Sequence, residues 1–132
     1  MSVFLDTSAL LAVLDADDQF HPRARRAWAD LINRAEDLVC TNYVLVETFA
    51  LAQHRLGLEA VRSLVEDILP LLRVHWIGEA EHGAGVAALL TAGRRQLSLV
   101  DCTSFIVMRQ LRLRTAFAFD SDFATQGFET LS

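Results

Sequence analysis

Four short apolar runs constrain this chain more than anything else in it: SVFL at 2–5, LVCT at 38–41, LRVHWI at 72–77 and TAFAF at 115–119. Stretches with helical character separate them. Strands of four to six residues that alternate with helices form parallel sheets, because a parallel pair needs a crossover long enough to hold a helix. Such strands are apolar throughout because helices cover both faces of the sheet. The expected helices are TSALLAVLDA, PRARRAWADLINRA, YVLVETFALAQHRL, LEAVRSLVEDIL, EHGAGVAALLTAG and SLVDCTSFIVMRQLRL. Pro22 suits a helix first turn, Asn42 an N-cap, Gly57 a C-terminal stop and Pro70 another. Ser98 and Asp101 have the spacing of a capping box. FETL at 128–131 is a candidate fifth strand.

With 132 residues the chain has the length of one ordinary domain, expected to span 1–132. It is 52% hydrophobic, yet no apolar run approaches the ~20 residues of a membrane span, so no membrane association is expected. The start, MSVFLDTSAL, lacks the basic region and cleavage site of a secretion signal, which favours the cytoplasm. Cys40 and Cys102 stand alone in apolar segments and read as buried thiols. All 12 basic residues are arginine, and the net charge is -5. A nucleic-acid substrate would therefore be held by local arginines and by metal rather than by global charge.

In an open parallel sheet, ligands bind outside the carboxyl ends of the strands. Acids stand at those ends here. Asp6 follows SVFL, Asp120 follows TAFAF, Glu47 lies early in the helix after LVCT, and Asp101 lies in the first turn of its helix. Each has a local structural use: Asp6 and Asp120 as caps or turn residues, Asp101 in its capping box, Glu47 on a solvated face. Together they carry a cost. Two carboxylates ~5 Å apart repel by roughly 3 kcal/mol at an effective dielectric of about 20. If the four converge, either some take up protons or a hard dication neutralises them, and oxygen-only ligands select Mg²⁺ or Mn²⁺ over zinc. Phosphodiester hydrolysis is the chemistry that such a site supports best.

FLDTSAL at the start, Glu47 in VLVETF, LSLVDCTSFIVM and AFAFDSDFATQGF together resemble the PIN domain nucleases, and within them the toxins of VapBC-type toxin-antitoxin pairs. The resemblance runs through essentially the whole chain in order. It implies an α/β fold, a three-layer α/β/α sandwich around a mostly parallel sheet of four to five strands. It also implies a metal-dependent endoribonuclease. Asp6, Glu47, Asp101 and Asp120 match the family's acidic quartet, with Asp6, Asp101 and Asp120 as metal ligands and Mg²⁺, or Mn²⁺ in its place, as the ion. Thr7 or Ser8 supplies a hydroxyl near the metal-bound water or phosphate. The departure is Asp122, where many relatives carry a basic or neutral residue. It is expected to act behind Asp120, as a cap or an outer ligand. The implied partners are an RNA substrate, a cognate antitoxin whose amphipathic segment fills a groove, and a second copy in a homodimer.

Two other acidic-pocket α/β folds fit less well. A phosphoacceptor receiver uses a lysine, and this chain has none; a haloacid-dehalogenase-like phosphatase wants an acid where Ser8 stands. The alternative of another class is a catalytically idle scaffold that binds RNA or a partner. The four histidines lack a paired metal-binding spacing, and EAEH at 79–82 reads as a solvated helix start. HPRARRAW, MRQLRLR and Arg94 with Arg95 are candidate phosphate contacts. Trp28, Phe20 and Leu31, in or near an arginine-rich helix, are expected at an interface.

Overall fold

The computed structural model describes residues 1–132. Five strands form one all-parallel sheet: β1 (Ser2–Leu5), β2 (Asp37–Thr41), β3 (Leu72–His75), β4 (Thr115–Phe117) and β5 (Glu129–Leu131). Their order is β3-β2-β1-β4-β5. The chain steps outward from β1 to β3, then returns to the far side of β1 for β4 and β5. Right-handed crossovers taken in opposite directions place their helices on opposite faces, which produces three layers. The order reverses between β1 and β4, where Val3 is in register with Thr115 and Leu5 with Phe117. That reversal opens a crevice at the carboxyl ends of the two strands.

The helices are α1 (Thr7–Leu14), α2 (His21–Asn33), α3 (Asn42–Leu56), α4 (Leu58–Ser63), α5 (Glu79–Ala92), α6 (Leu99–Gln110) and the single turn α7 (Asp122–Thr125). Asp6 caps α1, accepting from the Ser8 amide, and Ser98 with Asp101 form the capping box of α6. The cap of α3 is Thr41, not Asn42. The Asn42 side chain instead accepts from the Ile77 amide at 2.7 Å, tying the start of α3 to the chain leaving β3. The expected single helix over 58–69 is α4 followed by a π-helical turn, Leu64–Ile68, and a 3-10 turn, Leu69–Leu71. The wider turn brings Leu64 and Ile68 into the core, and Pro70, with no N–H to donate, ends the run.

TAFAF is shorter as a strand than its pattern suggests. The Ala118 amide still bonds to Leu131, but the Phe119 amide turns to the Ser8 hydroxyl. Asp120 therefore stands three residues past β4 rather than at its last rung. Leu31 is buried and Trp28 packs against the core, so neither is the free surface expected of it; Phe20, half-buried, packs against the core on one side and lines a pocket on the other. The large exposed apolar side chains lie elsewhere, among them Val46, Leu58, Trp76 and Leu90. Cys40 and Cys102 are buried free thiols, as read from the sequence. No helix is long and apolar enough to cross a membrane.

Candidate active site

At the β1/β4 crevice, Asp6, Asp101 and Asp120 each present a carboxylate oxygen within 4.8 Å of the others. Three different elements deliver them. Asp6 leaves the buried centre of the sheet as the cap of α1 and is only 3% exposed. Asp101 arrives on the first turn of α6, and Asp120 on the turn after β4. Each spends one oxygen on its own backbone. Asp6 Oδ2 accepts from the Ser8 amide and hydroxyl, at 3.2 and 2.6 Å. Asp101 Oδ2 accepts from the amide and hydroxyl of Ser98, both at 3.0 Å. Asp120 Oδ1 accepts from the Asp122 amide at 3.0 Å. No backbone N–H or hydroxyl donates to the second oxygen of any of the three; Asp6 and Asp120 meet carboxyl to carboxyl, a hydrogen bond only while one of them carries a proton. Capping and ligation are thus compatible uses of one side chain, which removes the opposition between them that the sequence presents.

The electrostatics show the strain of this convergence. Burial pushes Asp6 up to about 8; the nearby Asp120 charge adds to the rise, the Ser8 hydrogen bond opposes it, and Asp101 adds to it again. Asp101 is also raised, first by burial and then by Asp120 and Asp122, against the pull of its Ser98 hydrogen bonds. Three carboxylates with unshared oxygens are a hard, oxygen-only donor set, and they fit a divalent ion such as Mg²⁺ or Mn²⁺.

The acids open into a pocket of about 530 Å³. Glu47 lines it, half-buried, but lies outside the close trio. Of the two candidate hydroxyls, Ser8 is the one at the acids. Its proton goes to Asp6 and its lone pair to the Phe119 amide, so it fixes Asp6 and Phe119 rather than meeting a substrate. Thr7 lines the pocket, yet its hydroxyl is directed to the Val44 carbonyl at 3.4 Å. Asp122 lines the pocket outside the trio, and its carboxylate pairs with Arg94 at 3.5 Å.

Six acids line the pocket, and Arg55 is the single basic residue among them. The sequence reading passed over Arg55. Its signal is spacing: Glu47, Leu51 and Arg55 recur every fourth residue on α3 and all three face the pocket. EAEH is the solvated first turn of α5 that the sequence suggests, with Glu79, Ala80 and His82 exposed. Glu81 accepts from the Gly78 amide and pairs with His75 at 2.8 Å, and His82 bonds to the Tyr43 hydroxyl.

Known proteins share both the sequence and the arrangement. Residues 3–129 match the PIN domain family. The 23S rRNA-specific endonuclease VapC20 of Mycobacterium tuberculosis is 34% identical over 127 residues, which cover 96% of this chain and 95% of the relative. The crystal structure of VapC20, described as a Sarcin-Ricin loop cleaving toxin, has a TM-score of 0.84 at 33% identity, covering 96% of this chain and 95% of that one. FitAcB from Neisseria gonorrhoeae has a TM-score of 0.71 at 20% identity over 100% and 97% of the two chains, a likeness of fold. With a match that runs from β1 into β5 and takes in every acid of the pocket, this chain belongs to the PIN domain family.

Proposed function

We propose that this chain is a divalent-metal-dependent endoribonuclease and the toxin of a toxin-antitoxin pair, with Asp6, Asp101 and Asp120 holding the ion. The observation that carries this reading is the trio itself: three carboxylate oxygens within 4.8 Å, one of them on a residue buried at the sheet centre. Nothing in the structural roles of a helix cap, a capping-box partner and a turn residue requires the three carboxylates to converge. Mg²⁺, or Mn²⁺ in its place, would supply charge neutralisation and a water of lowered pKa at this position. The protein's own groups do the rest. Ser8 and Ser98 fix two of the carboxylates, and rigid placement is what ligation and in-line attack demand. Glu47 stands near enough to line the pocket and outside the trio, which leaves it to accept the proton of the attacking water as the new P–O bond forms and the P–O bond to the leaving oxygen breaks; the leaving oxygen takes its proton from water in the open pocket. Asp122, paired with Arg94, acts behind Asp120. Arg55 offsets phosphate charge in an otherwise acidic pocket.

The likeness to VapC20 supports a structured substrate, a loop of ribosomal RNA, and with it a cytoplasmic site of action. The single sheet and its covering helices act as one domain. The exposed apolar side chains Val46, Leu58, Trp76 and Leu90 are surface for protein partners, the antitoxin and a second copy of the chain. The test is cleavage of a looped RNA by purified protein. Mg²⁺ or Mn²⁺ should be required and EDTA should abolish cleavage. Undiminished cutting in chelator overturns the metal role, and RNA binding without cutting in either ion leaves an RNA-binding scaffold. Expression alone should arrest growth, and co-expression with a cognate antitoxin should relieve it.

A further inference from the structure

We infer that the wall of the pocket formed by Phe20 and Phe119 is a nucleobase-stacking subsite, which grips an unstacked base next to the scissile phosphate. This inference rests on the nuclease reading above and adds to it how the RNA is held. The two rings lie parallel, with centroids 4.8 Å apart and planes 12° from each other. Both line the same pocket as the three aspartates, and both are only partly buried. The guanidinium of Arg23 stands 5.6 Å from each centroid on the side away from the pocket lining, where it donates to the Ser132 hydroxyl at 2.9 Å and steadies the ring pair from behind.

These side chains belong to segments far apart in sequence, and each is held by backbone anchors. The Phe20 amide donates to Asp18 at 2.8 Å, and the Phe119 amide donates to the Ser8 hydroxyl at 3.0 Å. Ser8 also holds Asp6, so one hydroxyl fixes the aromatic wall relative to the metal ligands. Phe119 is moreover the residue immediately before Asp120.

An apolar π-surface beside an acidic metal site has a definite chemical use. RNA offers phosphate to the metal, and its bases repel neither the acids nor the rings. Recognition of single-stranded RNA relies on aromatic side chains and arginine planes that stack splayed bases. A pocket of about 530 Å³ lies within the range of ligand sites of about 300–1,000 Å³, enough for a nucleotide and its phosphate. A loop suits such a site better than a duplex, because its bases are already free to turn out.

The test pairs a change in the protein with a change in the RNA. Phe20→Leu keeps apolar bulk and removes the π-face, and Phe20→Trp restores it. The RNA is a hairpin whose cleavage site has been mapped, with an abasic residue on either side of the cut in turn. For wild type, one abasic position should weaken binding by about tenfold. Phe20→Leu should weaken binding of the intact hairpin by a similar factor and lose nothing further on the abasic one, while Phe20→Trp stays near wild type. Mn²⁺ affinity should be the same in all three proteins. Multiplying losses, unchanged RNA binding by Phe20→Leu, or a fall in its Mn²⁺ affinity would each overturn the subsite. The last result would mean that the stack only positions Asp120. Loss of antitoxin binding with RNA binding intact would also overturn it, and would assign the rings to the protein partner. A wild-type protein that neither binds nor cuts RNA would overturn the nuclease reading and the subsite together.

Discussion

Replacing Asp6 by asparagine should make the metal-free protein more stable while it destroys the site. Asn keeps the oxygen that accepts from the Ser8 amide and hydroxyl, and it caps a helix as well as Asp does. What it removes is a charge that burial and Asp120 oppose. Asp6 titrates near 8 in the fold and near its ordinary 3.8 in the unfolded chain. A group with a raised native value stabilises the fold fully below the unfolded value, and that contribution is lost as pH rises through the native one. At pH 7, therefore, folding must draw a proton onto Asp6, at a cost of about 4 kcal/mol at 1.4 kcal/mol per pH unit. Water entering the open pocket relieves part of this, so a gain of about 2–4 kcal/mol is expected for Asp6→Asn. For a chain of this size that is on the order of 10 °C in melting temperature. The assay is thermal or urea unfolding in EDTA from pH 4 to 9. The gap between variant and wild type should be small at pH 4, widen to about pH 8 and level off above it. Added Mg²⁺ or Mn²⁺ should raise wild type, by mass action on the native state, and leave the variant nearly unmoved. A variant no more stable than wild type at pH 8, or a gap that ignores pH, would refute the reasoning.

Three further outcomes follow from geometry. Asp120→Asn should lower turnover on RNA by at least about 100-fold, whereas Asp122→Asn, whose carboxylate is engaged by Arg94, should cost less than about tenfold, as single-turnover cleavage will show. Gly85→Ala would place a methyl 2.5 Å from Thr103 Cγ2 and 3.2 Å from Leu99 Cδ1, between α5 and α6. Overpacking of about 1–3 kcal/mol should outweigh the ~1 kcal/mol that alanine gains in a helix, and urea unfolding measures the net loss. Ser104 is buried with no partner for its hydroxyl, so Ser104→Ala should raise stability by about 1 kcal/mol in the same measurement.

The sequence displayed the parts of this protein that depend on local pattern. SVFL, LVCT and LRVHWI are apolar because helices cover them on both sides, and all three lie where β1, β2 and β3 stand. The Ser98–Asp101 spacing marked the start of α6, and chain order alone put four acids at one sheet edge. What was hidden depends on partners distant in sequence. Asn42 has every property of a cap, and it loses the role to Thr41 because the Ile77 amide, 35 residues on, takes its oxygen. The π-turn after α4 answers to the core, which claims Leu64 and Ile68 together. Trp28 and Leu31 looked surplus on an arginine-rich helix because the core they join is assembled from segments distant along the chain. Arg55 and the Phe20–Phe119 pair escaped because a pocket wall is a property of three segments at once.

The pairing of β1 with β4 also governs how the protein reaches its folded state. Val3 meets Thr115 at the middle of the sheet, and closing a loop of that span costs about 4 kcal/mol in chain entropy before any contact rewards it. High contact order of this kind slows folding. It also makes the trio a late product, because Asp6 and Asp120 belong to the two ends of that loop. A half-folded chain with α3 to α6 already in place would still lack the proposed metal site, and is expected to be harmless to RNA. The same dependence runs backwards: a substitution that loosens the central strand pair, with every acid intact, would separate Asp6 from Asp120 and silence the enzyme before the rest of the fold gave way.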